Sequence, residues 1–105
     1  MLEWKNIKIN GITQINKCVG EYLIFHDGRF PFINFRVQIY EDCHGSYTGI
    51  PNFGIKSCLD GSLEVEAGFG KTESECLEDT LTNLLKIISK RDTLTPDDFE
   101  WTEDF

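Results

Sequence analysis

The hydrophobic period of this chain changes from two to nearly four once, between Gly68 and Thr72. Before that point Ile33, Phe35, Val37 and Ile39 alternate with Asn34, Arg36, Gln38 and Tyr40, which gives a strand over Ile33–Tyr40 with an apolar face. After it, Leu77, Leu81, Leu84, Leu85 and Ile88 recur at helical spacing, which predicts a helix from Glu73 to Lys90 with one apolar stripe. Strands first and one helix last define an α+β domain: an antiparallel sheet of four to six strands with a long C-terminal helix packed across one face.

The other strands rest on shorter signals. Trp4 to Ile9, ended by Asn10-Gly11, reads as a first strand, and Tyr22 to His26, ended by Asp27-Gly28, as a second. Ser46 to Ile50 follows the connection Glu41 to Gly45, and Pro51-Asn52 interrupts it. Phe53 to Leu59 and Ser62 to Ala67 flank Asp60-Gly61, a hairpin signal, and Leu63, Val65 and Ala67 should face inward with Glu64 and Glu66 outward. Thr72 with Glu75 makes a capping box at the helix start. Glu73, Glu75, Glu78 and Asp79 near one helix end and Lys86, Lys90 and Arg91 near the other both match the macrodipole. Thr95-Pro96-Asp97-Asp98 offers one further helical turn.

A chain of 105 residues accommodates one domain, 1–105, divided into strands over 1–70, a helix over 72–91 and a tail over 92–105. No window approaches the roughly 18 apolar residues of a membrane span, and the start lacks a basic segment leading into an apolar one, so a soluble cytoplasmic protein is expected. A net charge of −8 argues against direct contact with nucleic acid, which requires clustered Lys and Arg. Cys18, Cys43, Cys58 and Cys76 show no zinc-ligand spacing and are read as reduced structural thiols.

No catalytic, metal or cofactor site is expected. Gly68-Phe69-Gly70-Lys71-Thr72 imitates a phosphate loop, but Val65 stands where such a loop needs glycine, and Glu73 and Glu75 would repel the anion. The glycines are read instead as a strand-to-helix turn. His26-Asp27 and Cys43-His44 are neighbours along an extended chain and so point apart. A small thiol- or carboxylate-dependent enzyme built on Cys43, His44 and His26 is the alternative they leave open.

The charge is unevenly placed. Residues 1–40 carry five Lys or Arg against three Asp or Glu, a net +2, and residues 41–105 carry five against fifteen, a net −10. The tail from Asp92 to Phe105 concentrates this, with six carboxylates and the aromatics Phe99, Trp101 and Phe105. Acid beside aromatic anchors suits a basic protein partner. The candidate partner-binding residues are therefore Glu64, Glu66, Asp97, Asp98, Glu100, Trp101, Glu103, Asp104 and Phe105. Phe99 and Trp101 have a second reading, docked on the sheet to close the core. Composition and spacing leave the oligomeric state open.

The stretch Gly68 to Leu85 (GFGKTESECLEDTLTNLL), followed by Asp98 to Trp101 (DFEW) and then Asp104-Phe105, resembles the ending of small acidic bacterial immunity proteins of contact-dependent growth inhibition and other polymorphic toxin systems. The resemblance implies an intracellular toxin inhibitor that binds a cognate toxin domain, often a nuclease, and blocks its active site or substrate surface. The Gly-rich entry into a Thr-x-x-Glu-x-Leu helix also looks like HicB-type antitoxins. Such antitoxins usually carry an added DNA-binding segment, for which this chain has no length; that counts against a HicB-like antitoxin, which stays a further alternative.

Overall fold

The computed structural model describes residues 3–57, 59–91 and 94–102. The protein is α+β, with every strand pairing antiparallel and one long helix across one face of the sheet. In chain order the strands are β1 (Lys17–Phe25), β2 (Asn34–Glu41), β3 (Tyr47–Pro51), β4 (Phe53–Lys56), β5 (Leu63–Glu64) and β6 (Gly68–Gly70). Helix α1 (Glu73–Ser89) and strand β7 (Phe99–Trp101) follow. The strands form two sheets, ordered β1-β2-β3-β6 and β5-β4-β7.

Asn52 alone separates β3 from β4, and it ties the two sheets together. Its N–H donates to the Arg36 carbonyl at 2.9 Å, and its side-chain oxygen accepts from Arg36 N–H at 3.0 Å. Its own carbonyl accepts from Thr102 N–H at 2.9 Å. The expected interruption at Pro51-Asn52 is thus a kink in a continuing run, with every backbone polar group at Asn52 satisfied.

The alternation read in β2 sets the core. Phe35, Val37 and Ile39 are buried beside Phe53, Ile55 and Leu84, and each such side chain removed from water contributes about 1.5–3 kcal/mol. Ile33 lies outside the strand and is 82% exposed. The expected strand at Trp4–Ile9 is absent: Trp4–Asn6 is a 3-10 turn, and the rest of the segment makes no strand pairing. A two-residue alternation of Ile7 and Ile9 has no neighbouring strand to complete it. In the hairpin, β4 pairs with β5 around Gly61, whose φ of +74° requires glycine. Its second arm ends at Glu64, and Val65 remains exposed.

Helix α1 starts at the predicted cap, with the Thr72 hydroxyl accepting from Glu75 N–H at 3.1 Å. The Glu75 carboxylate reaches one residue further back, accepting from Lys71 N–H at 3.2 Å. The stripe in contact with the sheet is rotated from the leucine pattern. Cys76, Thr80 and Leu84 are fully buried, Leu77, Leu81 and Ile88 flank them, and Leu85 is exposed. The reason lies in three glycines. A Cβ on Gly49 would stand 2.2 Å from Thr80 Oγ1, one on Gly68 2.3 Å from Thr80 N, and one on Gly70 2.5 Å from Cys76 N. Gly68 and Gly70 therefore belong to a strand that the helix backbone approaches closely, rather than to the expected turn. Small residues must face them, so Cys76 and Thr80 take the central positions. The Thr80 hydroxyl, buried there, donates to the Cys76 carbonyl at 2.8 Å. Burial pushes the Cys76 thiol up from its ordinary range, which suits an inert packing group.

Candidate partner-binding surface

The described part of the acidic tail, residues 94–102, is docked on the sheet. Arg91, just past the helix, donates from Nη1 to the Lys56 carbonyl at 2.7 Å, and its Nη2 lies 3.9 Å from Asp98 Oδ1. The predicted turn forms as a 3-10 helix over Pro96–Asp98. Asp98 Oδ2 accepts from Thr95 N–H at 2.8 Å and from the Thr95 hydroxyl at 3.3 Å. The Thr95 backbone N–H is the main cause holding the Asp98 carboxyl below the usual range, with the Thr95 hydroxyl and Arg91 adding to it. Asp98 thus secures the tail, and its charge is engaged within the chain.

From there β7 pairs with β4, Phe99 opposite Ile55, Glu100 opposite Gly54 and Trp101 opposite Phe53. Residues paired across an antiparallel ladder share a face. Phe99 and Trp101 therefore lie on the core side with Phe53, and Glu100 lies on the other. Trp101 does two things. Its ring sits 4.8 Å from that of Phe32 and 6.2 Å from that of Phe53, yet the residue is 50% exposed. It closes one end of an aromatic cluster of Phe30, Phe32, Phe35, Phe53 and Phe99 while presenting its outer edge to solvent.

The remaining candidate acids are not gathered into one patch. Glu64 pairs with Ile55 and Glu100 with Gly54, so they lie on opposite faces and on opposite sides of β4. Glu66 is half-buried beyond β5, and Asp97 is exposed on the 3-10 turn. Glu103, Asp104 and Phe105 lie outside the described residues. Among the described residues Asp97, Glu100 and Trp101 follow one another along the 3-10 turn and β7, with Glu100 on the face opposite Trp101.

A second combination of acid and aromatic was missed by the sequence reading. Phe69 is exposed, and with Glu75, Glu78, Asp79 and Thr82 it lines a shallow cavity of about 360 Å³. Two of these acids are engaged, because Asp79 Oδ2 accepts from Phe69 N–H at 2.8 Å and Glu75 from Lys71 N–H at 3.2 Å. Phe69 standing between two close-approach glycines was the available signal, since the glycines turn inward and leave it outward.

The residues weighed for chemistry are dispersed. His26 Nδ1 accepts from Gly28 N–H at 3.0 Å, which leaves the Nε2 proton to donate to the Phe32 carbonyl. His44 and Cys43 are in the β2–β3 connection, at the other end of the β1–β2 pair. There Asp42 Oδ1 accepts from His44 N–H at 2.8 Å and Ser46 N–H at 3.0 Å, and these bonds, Ser46 first, hold its carboxyl below the ordinary range. Cys18 and Cys43 are exposed free thiols, and Cys58 lies outside the described residues. Among the described residues no three His, Cys, Asp or Glu side chains are grouped to hold a metal, and no helix is long and apolar enough to cross a membrane.

Comparison of the chain with protein-family models, curated proteins and solved structures finds no match.

Proposed function

We propose that this protein is a cytoplasmic bacterial immunity protein that binds a cognate toxin domain, a basic nuclease by preference, and occludes its active site or substrate surface. The observation that carries this reading is the docked tail. Asp97, Glu100 and the half-exposed Trp101 are held on a 3-10 turn and an edge strand rather than left on a free end, in a chain of net charge −8. Acids and an exposed aromatic edge held in place on one docked segment suit the groove in which a nuclease binds phosphates. Ordering such a segment before contact removes part of the entropic cost of binding.

The gene neighbourhood tests the proposal first: a large secreted-toxin gene should end immediately upstream, and the chain is then co-expressed with the C-terminal domain of that toxin. Growth should be rescued, and the purified pair should associate faster at low salt than at high salt. A metabolic gene neighbourhood, or toxicity undiminished by the chain, would refute it.

A further inference from the structure

Three features around β1 are absorbed neither by the fold nor by the acidic surface. The first is the strand edge. Among the described residues β1, nine residues long, pairs with β2 along one side and with no strand along the other. The outer edge of β6 is closed by side chains of α1: Asp79 accepts from Phe69 N–H at 2.8 Å, and Asn83 Nδ2 donates to the Ala67 carbonyl at 3.3 Å. β5 and β7 are only two and three residues long. Long unpaired edges are usually blunted, and this one carries the exposed Leu23 and Phe25.

The second feature is the basic apolar arm before β1. Ile7, Ile9 and Ile12 are exposed, with Ile9 at 60%, and Ile12 N–H bonds to the Ile9 carbonyl at 3.0 Å to close a turn. Among the described residues, the Lys5–Glu41 ion pair is its side-chain hydrogen bond to the body. The third is an apolar groove of about 310 Å³ between the end of β1 and α1, lined by Ile24, Phe25, Phe30, Leu81, Leu84 and Leu85, with Asp27 and Arg29 beside it.

In one copy the arm and the groove lie at opposite ends of a strand about 30 Å long, so the arm does not reach its own groove. Antiparallel pairing of β1 with β1 of a second copy places the start of each strand beside the end of the other. We propose that the chain forms a two-fold dimer through β1, with each basic arm seated in the apolar groove of the other copy. Paired residues must share a face, which restricts the symmetric registers to those centred on a residue. A centre at Glu21 would set two carboxylates against each other. A centre at Tyr22 places Glu21 opposite Leu23 and Gly20 opposite Ile24 of the second copy, and brings Lys17 toward Asp27.

Charge favours the same arrangement. Residues 1–17 carry three Lys against one Glu, a net +2, and residues 18–105 a net −10, so exchanging arms offsets part of the repulsion between two acidic bodies. The bulge between Cys18 and Gly20 limits regular pairing to the middle of β1. The arms and grooves therefore carry much of the interface, and because the contact is isologous it closes at two copies.

Sedimentation velocity on the full chain, from about 10 μM to about 1 mM, tests this over the affinity range of an ordinary weak dimer. The wild type should pass from monomer to dimer. Ile9→Lys and Leu85→Glu alter exposed side chains and should leave the circular dichroism unchanged, while each raises the dissociation constant roughly tenfold or more. Ile12→Lys is a second arm variant should Ile9→Lys misfold. Mixing Ile9→Lys with Leu85→Glu should restore dimers, since the heterodimer sets the introduced lysine of one arm against the introduced glutamate of the facing groove and leaves the other arm and groove native. A wild type that remains monomeric to about 1 mM, variants that dimerise like wild type, a mixture that stays monomeric, or assembly beyond two copies would each overturn the proposal.

Discussion

Thr80 and the glycines that face it set how closely helix and sheet approach, and the consequences for mutation differ sharply between neighbours. Gly68→Ala forces a Cβ to 2.3 Å from the Thr80 backbone nitrogen, which cannot rotate away. It should destabilise by about 3 kcal/mol or more, the upper end for overpacking. Leu84→Ala, in the fully buried stripe, should cost about 2–5 kcal/mol, whereas Leu85→Ala should stay within about 0.5 kcal/mol of wild type. Urea unfolding of the three variants checks this, and equal losses at 84 and 85 would contradict the stripe described above. The leucine spacing in the sequence located the helix correctly but could not fix its rotation. Cys76 and Thr80 are poor hydrophobic signals, and their burial follows from glycines in other strands. Asn52 was equally hidden, since its role depends on three hydrogen bonds to two residues distant in sequence, Arg36 and Thr102. Asn52→Ala should cost about 1–3 kcal/mol by leaving Arg36 N–H without its acceptor.

Segments with a sustained pattern were legible: β2 and α1 match their expected bounds to within a residue or two. Shorter ones were not. Trp4–Ile9 carries strand-like residues but no partner, whereas Phe99–Trp101, too short to show a period, pairs because β4 offers an edge. The tail can be tested through Asp98, whose carboxyl is held below its ordinary range mainly by Thr95 N–H. A folded value below the unfolded one means that the native tail releases this proton more readily. The stabilisation is therefore complete above the ordinary carboxylate range and is lost as pH falls through the folded value. In a Trp4→Phe background, Trp101 emission should shift to longer wavelength below about pH 4, as Asp98 becomes protonated and β7 loosens. Asp98→Asn should weaken this pH dependence. An unchanged transition in Asp98→Asn would assign it to other carboxylates.

The acidity of the chain as a unit has to be divided between structure and surface before it can be tested for binding. Asp98, Asp79 and Asp42 are occupied by backbone N–H groups, so neutralising them would perturb the fold and confuse the result. Asp97, Glu100 and Glu64 are exposed and Glu66 is half-buried, and none of the four forms an ion pair among the described residues. Changing all four to Asn or Gln removes four negative charges at roughly constant shape. The variant should melt like wild type and associate with the proposed basic toxin domain more slowly, with the deficit shrinking as salt approaches about 0.5 M because screening then removes the same attraction from both proteins. Trp101→Ala probes the aromatic edge in the same assay. Because Trp101 both covers Phe32 and meets solvent, it should lose about 1–3 kcal/mol of stability through the aromatic cluster and a further share of affinity through its exposed edge. Dissociation should quicken in Trp101→Ala, whereas in the charge variant the effect should fall on association. An association rate that ignores both the four charges and the salt would leave the acidic surface without a steering role, and would shift attention to Phe69 and the helix acids beside it.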